Sequence, residues 1–315
     1  MITSRFLFKN HIGRRVFMKK KVGNYKKSDI IWGILLIAPS IIGLFILNVI
    51  PFFQTIFLSF NETGAFGKRE WVGLDNYIRL FNDPAILQAT KNTIIYTVIS
   101  VSVGILLALI FASLLNQKIK GRSLYRAIYF LPIVVAPAAV AMVWKWLFNT
   151  DFGLINYVLG LFGVDGPAWL TSPTVVVISV SIVTVWSSIG YDIVLILAGL
   201  QSIPETYYEA ARIDGASGIR QFFKITIPLV SPTLFFVVIL RVMAALKQFD
   251  FMYMLIGEGN PALESSQTLT YLFYRNAFEI GDKGYASVII LWTFIIIAVV
   301  TIIQFKGEKK WVNYD

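Results

Sequence analysis

Six long apolar tracts constrain this chain more than any other feature of its sequence. Each tract is long enough to cross a ~30 Å hydrocarbon layer as a helix that rises ~1.5 Å per residue. Because 57% of the 315 residues are hydrophobic and only 15% are charged, a soluble fold could not cover the apolar surface. The sequence therefore predicts an all-α membrane protein with six transmembrane helices. The tracts lie at 30–54, 93–115, 127–148, 174–200, 229–247 and 284–305.

The Lys and Arg residues are distributed unevenly among the segments that flank these tracts. Nineteen of the 28 lie at 1–29, 116–126, 201–228 and 306–315, whereas six lie at 55–92, 149–173 and 248–283. Segments rich in Lys and Arg stay on the cytoplasmic side of a membrane. We therefore expect a multi-pass protein of a bacterial-type cytoplasmic membrane, with a six-span domain over 30–305. Its cytoplasmic parts would be a basic tail at 1–29, the loop at 201–228 and a tail at 306–315.

The basic tail has no acidic residue before Asp29. It could attract anionic lipid headgroups, but orientation of the chain by charge is the simpler explanation of the same residues. The net charge of +10 therefore predicts membrane lipid, and no nucleic acid, as a partner. The first apolar tract is too long for a signal-peptide core and lacks a small-residue cleavage site, so we expect it to remain attached.

Several kinds of chemistry are excluded by the residue inventory. The chain has no cysteine, and its one histidine, His11, lies in the basic tail, which excludes disulfides, thiolate metal sites, histidine-dependent triads and HExxH zinc sites. The sequence also lacks the Gly-x-x-x-x-Gly-Lys-Ser/Thr loop that binds nucleotide phosphates. We expect no catalytic residue, metal or cofactor on this chain, so another chain must hydrolyse ATP if ATP drives the protein.

A short polar segment at 201–228 separates the fourth and fifth tracts. Ser202 and Glu205 have the spacing of a capping box, and Gly215 has the backbone freedom that ends a helix. The sequence therefore predicts a short helix over 203–214. A second short helix should follow the turn and end where Pro228 opens the next span.

The predicted short helix has one polar face and a small apolar surface. Small side chains at Ala210 and Ala211 would let another surface approach closely. This pattern is typical either of an interfacial helical hairpin or of a docking surface for another protein. The polar residues recur at i, i+3, i+4 and i+7, and they are Glu205, Tyr208, Glu209 and Arg212.

The spacing of this segment resembles the signature loop of permease subunits of ATP-binding-cassette importers. That signature is Glu-Ala-Ala, three residues, Gly, nine residues, Ile and then a hydrophobic residue before Pro. Ile227 replaces the family's usual Leu, which conserves volume. The resemblance covers most of 30–305, and the segments at 126–148 and 197–216 are closest to the carbohydrate branch of the family. The matching positions are Glu209, Ala210, Ala211, Gly215, Ile225 and Pro228.

The resemblance implies a permease subunit that moves a sugar or oligosaccharide inward. Its implied partners are a second permease subunit, usually a different chain, two ATPase subunits that bind ATP and Mg, and an external solute-binding protein. In this family the Glu-Ala-Ala helix seats in a groove on the ATPase. The resemblance therefore assigns Glu209 as the polar contact, Ala210 and Ala211 as the close-packing surface, and Gly215 as the turn. Further expected coupling residues are Arg212, Asp214, Ile225 and Pro228.

Polar and aromatic side chains in or beside the last spans are candidates for the sugar pathway. Ionisable groups in a membrane usually face a bundle interior or a cavity, and a sugar presents hydroxyls together with apolar faces. Asp192 and Arg241 could instead pair as structural ions, and the aromatic residues could belong to helix packing. The candidates are Trp186, Tyr191, Asp192, Arg241, Gln248, Phe249 and Asp250.

Two other functions are compatible with part of the sequence. A secondary transporter driven by an ion gradient would also have six spans and a buried Asp192 or Arg241, but it would leave the segment at 201–228 without a role. A membrane-embedded enzyme would need a set of catalytic acids, bases or metal ligands that is not evident.

Prolines can kink spans and so shape a cavity. They lie within or at the ends of spans at Pro39, Pro51, Pro132 and Pro137.

Overall fold

The computed structural model describes residues 8–9, 15–16, 27–63, 68–117 and 120–313. The predicted basic tail at 1–29 therefore lies largely outside the described residues. The chain divides into two compact units, Met1–Gln54 and Thr55–Asp315. The candidate functional residues all lie in the second unit.

The first unit contains a small hairpin and most of the first span. Strands β1 (Phe8–Lys9) and β2 (Arg15–Val16) pair antiparallel. Helix α1 (Lys27–Leu44) continues through a π-helical turn at Phe45–Val49 into α2 (Ile50–Ser59). The apolar helical stretch Ile31–Ser59 thus matches the predicted first span at 30–54, although it ends later.

The second unit is helical apart from a hairpin of β3 (Asn61–Thr63) and β4 (Arg69–Trp71), which pair antiparallel. Two further π-helical turns lie at Phe222–Thr226 and Arg275–Ile280. The helices are α3 (Asp75–Asn82), α4 (Pro84–Asn116), α5 (Arg122–Val134), α6 (Pro137–Leu147), α7 (Leu154–Leu161), α8 (Val176–Gln201), α9 (Glu205–Ile213), α10 (Gly218–Gln221), α11 (Ile227–Leu246), α12 (Asp250–Ile256), α13 (Leu263–Ser266), α14 (Leu269–Tyr274) and α15 (Lys283–Trp311).

Four long helices of this unit match predicted spans: α4, α8, Gly218–Leu246 and α15. Helix α4 begins well before the predicted start at residue 93, because Asp83 caps it by accepting the N–H of Ala85 at 2.9 Å and Pro84 suits the first helical position. Helix α15 likewise continues to Trp311, so the predicted tail at 306–315 is mostly helix. Hydropathy marks only the apolar stretch, whereas hydrogen bonding decides where a helix ends.

The predicted continuous helix at 127–148 is wrong. The chain forms α5 and α6, which meet at an angle of 99° across a short break. Val135 and Ala136 are extended, with ψ of 137° and 134°, before Pro137 at the start of α6. The residue before a proline is driven away from the helical region by the ring, so the kink expected from proline occurs at Pro137. The described part of the chain thus contains five candidate spans, or six if this bent pair is one span.

Helices α4 and α8 form the centre of the second unit, and both carry buried polar side chains. Tyr96 of α4 is completely buried, and its hydroxyl donates to Oγ1 of Thr184 at 2.7 Å. Thr184 in turn donates to the Val180 carbonyl at 2.9 Å. These bonds satisfy hydroxyls that would be costly in an apolar interior.

The side chain of Asn260 orders the loop that contains it. Its Oδ1 accepts the N–H of Ala262 at 2.9 Å, and its Nδ2 donates to the Leu170 carbonyl at 3.0 Å. Asn260 therefore joins the loop after α12 to the loop before α8.

Candidate coupling loop and membrane cavity

Helix α9 presents almost all of its surface to solvent, and none of its residues is buried. Tyr207 is 50% exposed and Ile213 is 86% exposed. Glu209 and Ala210 are also exposed, while Ala211 is half-buried. A surface that combines exposed apolar groups with charge is typical of a contact with another protein.

The helix begins at Glu205, and the predicted capping box is wrong. The Ser202 hydroxyl donates backwards to the Gly199 carbonyl at 2.7 Å. Pro204, which is extended, occupies the N-cap position and offers no side-chain acceptor. Glu205 instead lies 3.6 Å from Nη2 of Arg212. Both side chains are mainly exposed, so this ion pair contributes about 1 kcal/mol or less.

The predicted turn at the end of α9 is present at Gly215, whose φ is +72°. The Gly215 N–H donates to the Arg212 carbonyl at 3.1 Å, and the Ala216 N–H donates to the Ala211 carbonyl at 2.9 Å. These two bonds form a Schellman motif, which requires a left-handed residue and therefore favours glycine. Gly215 thus both ends α9 and satisfies its last carbonyls.

Two side-chain bonds connect α9 and its turn to the helix that follows. The hydroxyls of Tyr208 and Thr226 lie 2.9 Å apart, and Nε2 of Gln221 donates to the Ala216 carbonyl at 2.9 Å. The predicted separate second helix is wrong, because Gly218–Leu246 is one long helix. Pro228 lies in the first turn of α11, directly after the π-helical turn, and such local widening accommodates a missing backbone donor.

The remaining predicted coupling residues flank this connection. Asp214 is the exposed C-cap residue of α9, and Arg212 is exposed in its last turn. Ile225 is half-buried within the π-helical turn. The predicted set therefore divides between the exposed face of α9 and the helix that leads into the next span.

A buried ion pair joins α8 to α11. Nε of Arg241 lies 3.0 Å from Oδ2 of Asp192, and the exposed fraction of the Asp192 side chain is 0%. Nη2 of Arg241 also donates to Oγ of Ser188. The structure therefore brings together Asp192 and Arg241, which the sequence offered either as pathway residues or as a structural pair.

Arg241 also lines a small polar cavity of about 120 Å³ between α4, α8 and α11. The sequence-based candidates include only Arg241 and Gln248 from its wall, and they miss its hydroxyl groups. Hydroxyl-bearing residues that recur three and four positions apart on α8 could have revealed them, since such residues share a helix face. The missed hydroxyl-bearing residues are Ser100, Thr184, Ser187 and Ser188.

The other predicted pathway residues lie elsewhere. Trp186 borders a separate apolar groove of about 720 Å³, and its ring centroid lies 5.7 Å from that of Trp144. Phe249 packs against Tyr253 and Tyr274, with centroids at 5.1 and 4.8 Å.

Two further predicted residues are partly exposed at the surface of the chain. Tyr191 of α8 is 41% exposed, and Asp250 lies in the first turn of α12. The described structure therefore gathers part of the predicted set around one cavity and separates the rest from it.

Comparison with known proteins relates this arrangement to a transport family. Residues 104–311 match the family model described as binding-protein-dependent transport system inner membrane component. The chain is 35% identical to the probable ABC transporter permease protein YesP of Bacillus subtilis, over 92% of this chain and 94% of the relative. It is also 35% identical to the trehalose/maltose transport system permease protein MalF of Thermococcus litoralis, over 87% and 92%.

Another relative and a solved structure also belong to ABC transport systems. The chain is 34% identical to the sn-glycerol-3-phosphate transport system permease protein UgpA of Escherichia coli, over 89% of this chain and 95% of the relative. A chain of a bacterial ABC transporter that imports the polysaccharide alginate shares the fold, with a TM-score of 0.79 at 23% identity over 91% and 98% of the two chains. The protein therefore belongs to the family of inner-membrane components of binding-protein-dependent ABC transport systems.

Proposed function

We propose that this chain forms part of the membrane pathway of an ATP-driven importer and that α9 receives the motion of a separate ATPase subunit. The observation that carries the proposal is a helix without a buried residue that lies between two spans. Hydrogen bonds from Tyr208 and Gln221 tie α9 and its turn to the start of the next span. A push on α9 would therefore reach the spans, as in other rigid-body transitions.

The proposed assembly follows from family membership and from charge. Both termini and the loop at 201–228 lie in the cytoplasm, since Lys and Arg are concentrated there. Two ATPase subunits hold ATP and Mg on that side. A second permease subunit, a different chain, completes the pathway, and a solute-binding protein delivers the substrate from outside.

The proposed substrate is a sugar or oligosaccharide. The names of two relatives specify trehalose/maltose and sn-glycerol-3-phosphate, both of them polyhydroxylated compounds. The cavity between α4, α8 and α11 presents the hydroxyl of Ser187 and the amide of Gln248. These groups donate and accept hydrogen bonds and so suit a polyol. Trp186, Tyr191, Phe249 and Asp250 stay predicted pathway residues.

The test is uptake by proteoliposomes that contain the chain with its permease partner, its ATPase and its binding protein. We expect uptake of labelled sugar to require ATP and the binding protein and to persist when ionophores collapse proton and sodium gradients. Uptake that follows an ion gradient without ATP would instead support a secondary transporter.

Replacing Glu209 by lysine should abolish transport without preventing insertion. Glu209 is exposed, so the change leaves the core intact but reverses the charge of the proposed contact with the ATPase. Unfavourable charge at an interface costs several kcal/mol, so we expect uptake to fall by at least ~10-fold. Co-purification of the ATPase subunit and ATP-driven uptake measure the effect.

Asp165→Lys is the matched control, because it makes the same charge change on an exposed loop residue before α8. It should leave co-purification of the ATPase unchanged. A cysteine introduced by Tyr207→Cys would be unique, since the chain contains no cysteine, and it should crosslink to the ATPase. Normal uptake by Glu209→Lys, or labelling of the cysteine only from outside the cell, would contradict the assignment.

A further inference from the structure

The Asp192–Arg241 ion pair connects the two spans that flank α9. Asp192 belongs to α8, which ends at Gln201, and three residues separate Gln201 from Glu205 at the start of α9. Arg241 belongs to α11, which is continuous with the helix that begins at Gly218. Displacement of α9 therefore acts on both α8 and α11, and the ion pair is a link between them away from their cytoplasmic ends.

A second close contact joins the same two helices near α9. A Cβ atom added to Gly199 of α8 would lie 2.7 and 2.8 Å from Cβ and Cγ2 of Thr233 in α11. Buried apolar residues of the same two helices, including Ile196 and Leu234, belong to one packed cluster. Small residues allow such close approach of membrane helices. Helices α8 and α11 are thus held near their cytoplasmic ends by packing and farther along by charge.

The geometry of the pair favours a positioning role over sugar contact. Asp192 is completely buried and does not line the polar cavity. Within the described part of the chain, neither of its carboxylate oxygens accepts an aligned hydrogen bond, so the nearby guanidinium charge is what stabilises it. Arg241 uses Nε towards Asp192 and Nη2 towards Ser188. Both of these guanidinium nitrogens are therefore directed at α8.

The surroundings of Arg241 restrict it further. Its Nη2 would lie 3.8 Å from a Cβ atom at Gly104 of α4, so α4 borders the guanidinium directly. Ser188 donates to the Thr184 carbonyl at 2.6 Å, which fixes the hydroxyl that accepts from Arg241. The guanidinium is therefore held between three helices, and its place depends on all of them.

We propose that Asp192 and Arg241 are positioning residues that make α8 and α11 move as one body when α9 is displaced. This inference rests on the proposed function, because it assigns a role in the transmission of ATPase motion. When Arg241 is left buried without its partner charge, the contact between the two spans is disrupted. The ATPase can then still bind α9 and hydrolyse ATP, but α8 and α11 separate under load. The measurable consequence is a lower number of sugar molecules transported per ATP hydrolysed.

Two variants separate this role from sugar contact. Asp192→Asn leaves the Arg241 charge buried without its partner, which weakens the link. The double variant Asp192→Leu/Arg241→Met replaces the pair by apolar groups of similar volume, and such replacements of buried ion pairs are often neutral or stabilising. Each variant is reconstituted as the complete transporter, and both sugar uptake and ATP hydrolysis are measured.

We expect Asp192→Asn to hydrolyse ATP but to transport ~10-fold less sugar per ATP, within the usual size of a coupling between sites. The double variant should transport within ~2-fold of the unaltered protein and keep its preference among sugars. Arg79→Gln is the control, because it removes a more exposed ion pair, in which Nη1 of Arg79 lies 2.7 Å from Oδ2 of Asp282. It should leave the number of sugar molecules transported per ATP unchanged.

Three results would overturn the inference. The first is that Asp192→Asn transports as many sugar molecules per ATP as the unaltered protein. The second is that the double variant changes its preference among sugars. The third is that the double variant fails to accumulate or to transport. If Asp192→Asn does not accumulate, the double variant alone decides. Failure of the proposed function is distinguishable, because the unaltered complex would then show no ATP-dependent uptake at all.

Discussion

Replacing Gly190 by valine is expected to prevent accumulation of the folded protein. A Cβ atom at this position of α8 would lie 2.8 Å from the carbonyl carbon of Tyr129 and 3.0 Å from Cα of Phe130, both in the backbone of α5. A backbone cannot rotate away as a side chain can, so α8 and α5 would have to separate. We expect a loss of at least about 3 kcal/mol, the upper end of the range for overpacking.

Accumulation in the membrane fraction and thermal unfolding of the detergent-purified chain measure this effect. Gly307→Val is the matched control, because Gly307 is also helical, in α15, and a Cβ atom there would meet nothing within 4 Å. The control should accumulate normally, since valine has a better helix propensity than glycine. Equal unfolding temperatures for the two variants would show that the close approach of α8 to α5 is not required.

Replacing Gly215 by valine is expected to abolish ATP-driven uptake while the protein still inserts. The φ of +72° at Gly215 is left-handed, where an ordinary residue costs about 1–2 kcal/mol and a β-branched residue is a rare outlier. Nothing lies within 4 Å of an added Cβ atom, so the effect is a change of backbone direction and not a clash. Helix α9 would lose its terminal turn, and its exposed face would be redirected.

Asparagine tests whether the left-handed backbone at Gly215 is the cause, because it tolerates this conformation better than most other non-glycine residues. Gly215→Asn should keep most of the uptake. Gly218→Ala, in α10 and also free of neighbours within 4 Å, should behave as the unaltered protein. If valine at Gly215 transports normally, or if asparagine is as inactive as valine, the backbone explanation is wrong.

The location of the spans and of α9 could be predicted because both depend on local properties. A long run of apolar residues must cross the membrane as a helix, since its backbone groups find no other hydrogen-bond partners there. The polar segment that contains Glu205–Ile213 interrupts such runs and has its own helical period. Each of these patterns lies within one stretch of chain. The structure has helices at the corresponding segments, namely α4, α8, α9 and α15.

The errors in the prediction arise where two local rules compete. Ser202 has the spacing of a capping residue, but Pro204 follows it, and the Ser202 hydroxyl donates to the Gly199 carbonyl instead. Pro228 suggested a new helix, but a π-helical turn before it keeps the helix continuous. The apolar tract at 127–148 fits one span, but Pro137 divides it. Hydropathy does not register such changes in backbone direction.

The candidate pathway shows a different limit of the sequence. Asp192, Arg241 and Gln248 could be selected because polar groups in apolar tracts are costly and therefore stand out. Ser187 and Ser188 did not stand out, since a hydroxyl can bond to its own helix at little cost, as Ser188 does with Thr184. Trp186 was selected for its ring, but its position around the helix directs it to a different groove.

The amino-acid sequence by itself determined that this chain is a helical membrane protein, where most of its long apolar helices lie, and that a polar helix lies between its fourth and fifth apolar tracts. Only the tertiary structure decided that Asp192 meets Arg241, that Gly190 touches the backbone of α5, and that Asp192 is buried outside the wall of the polar cavity. The physical reason is one of range. Hydrophobicity, helix period and turn preference act between neighbours in the chain, whereas pairing and close approach depend on how separate helices rotate and pack against each other.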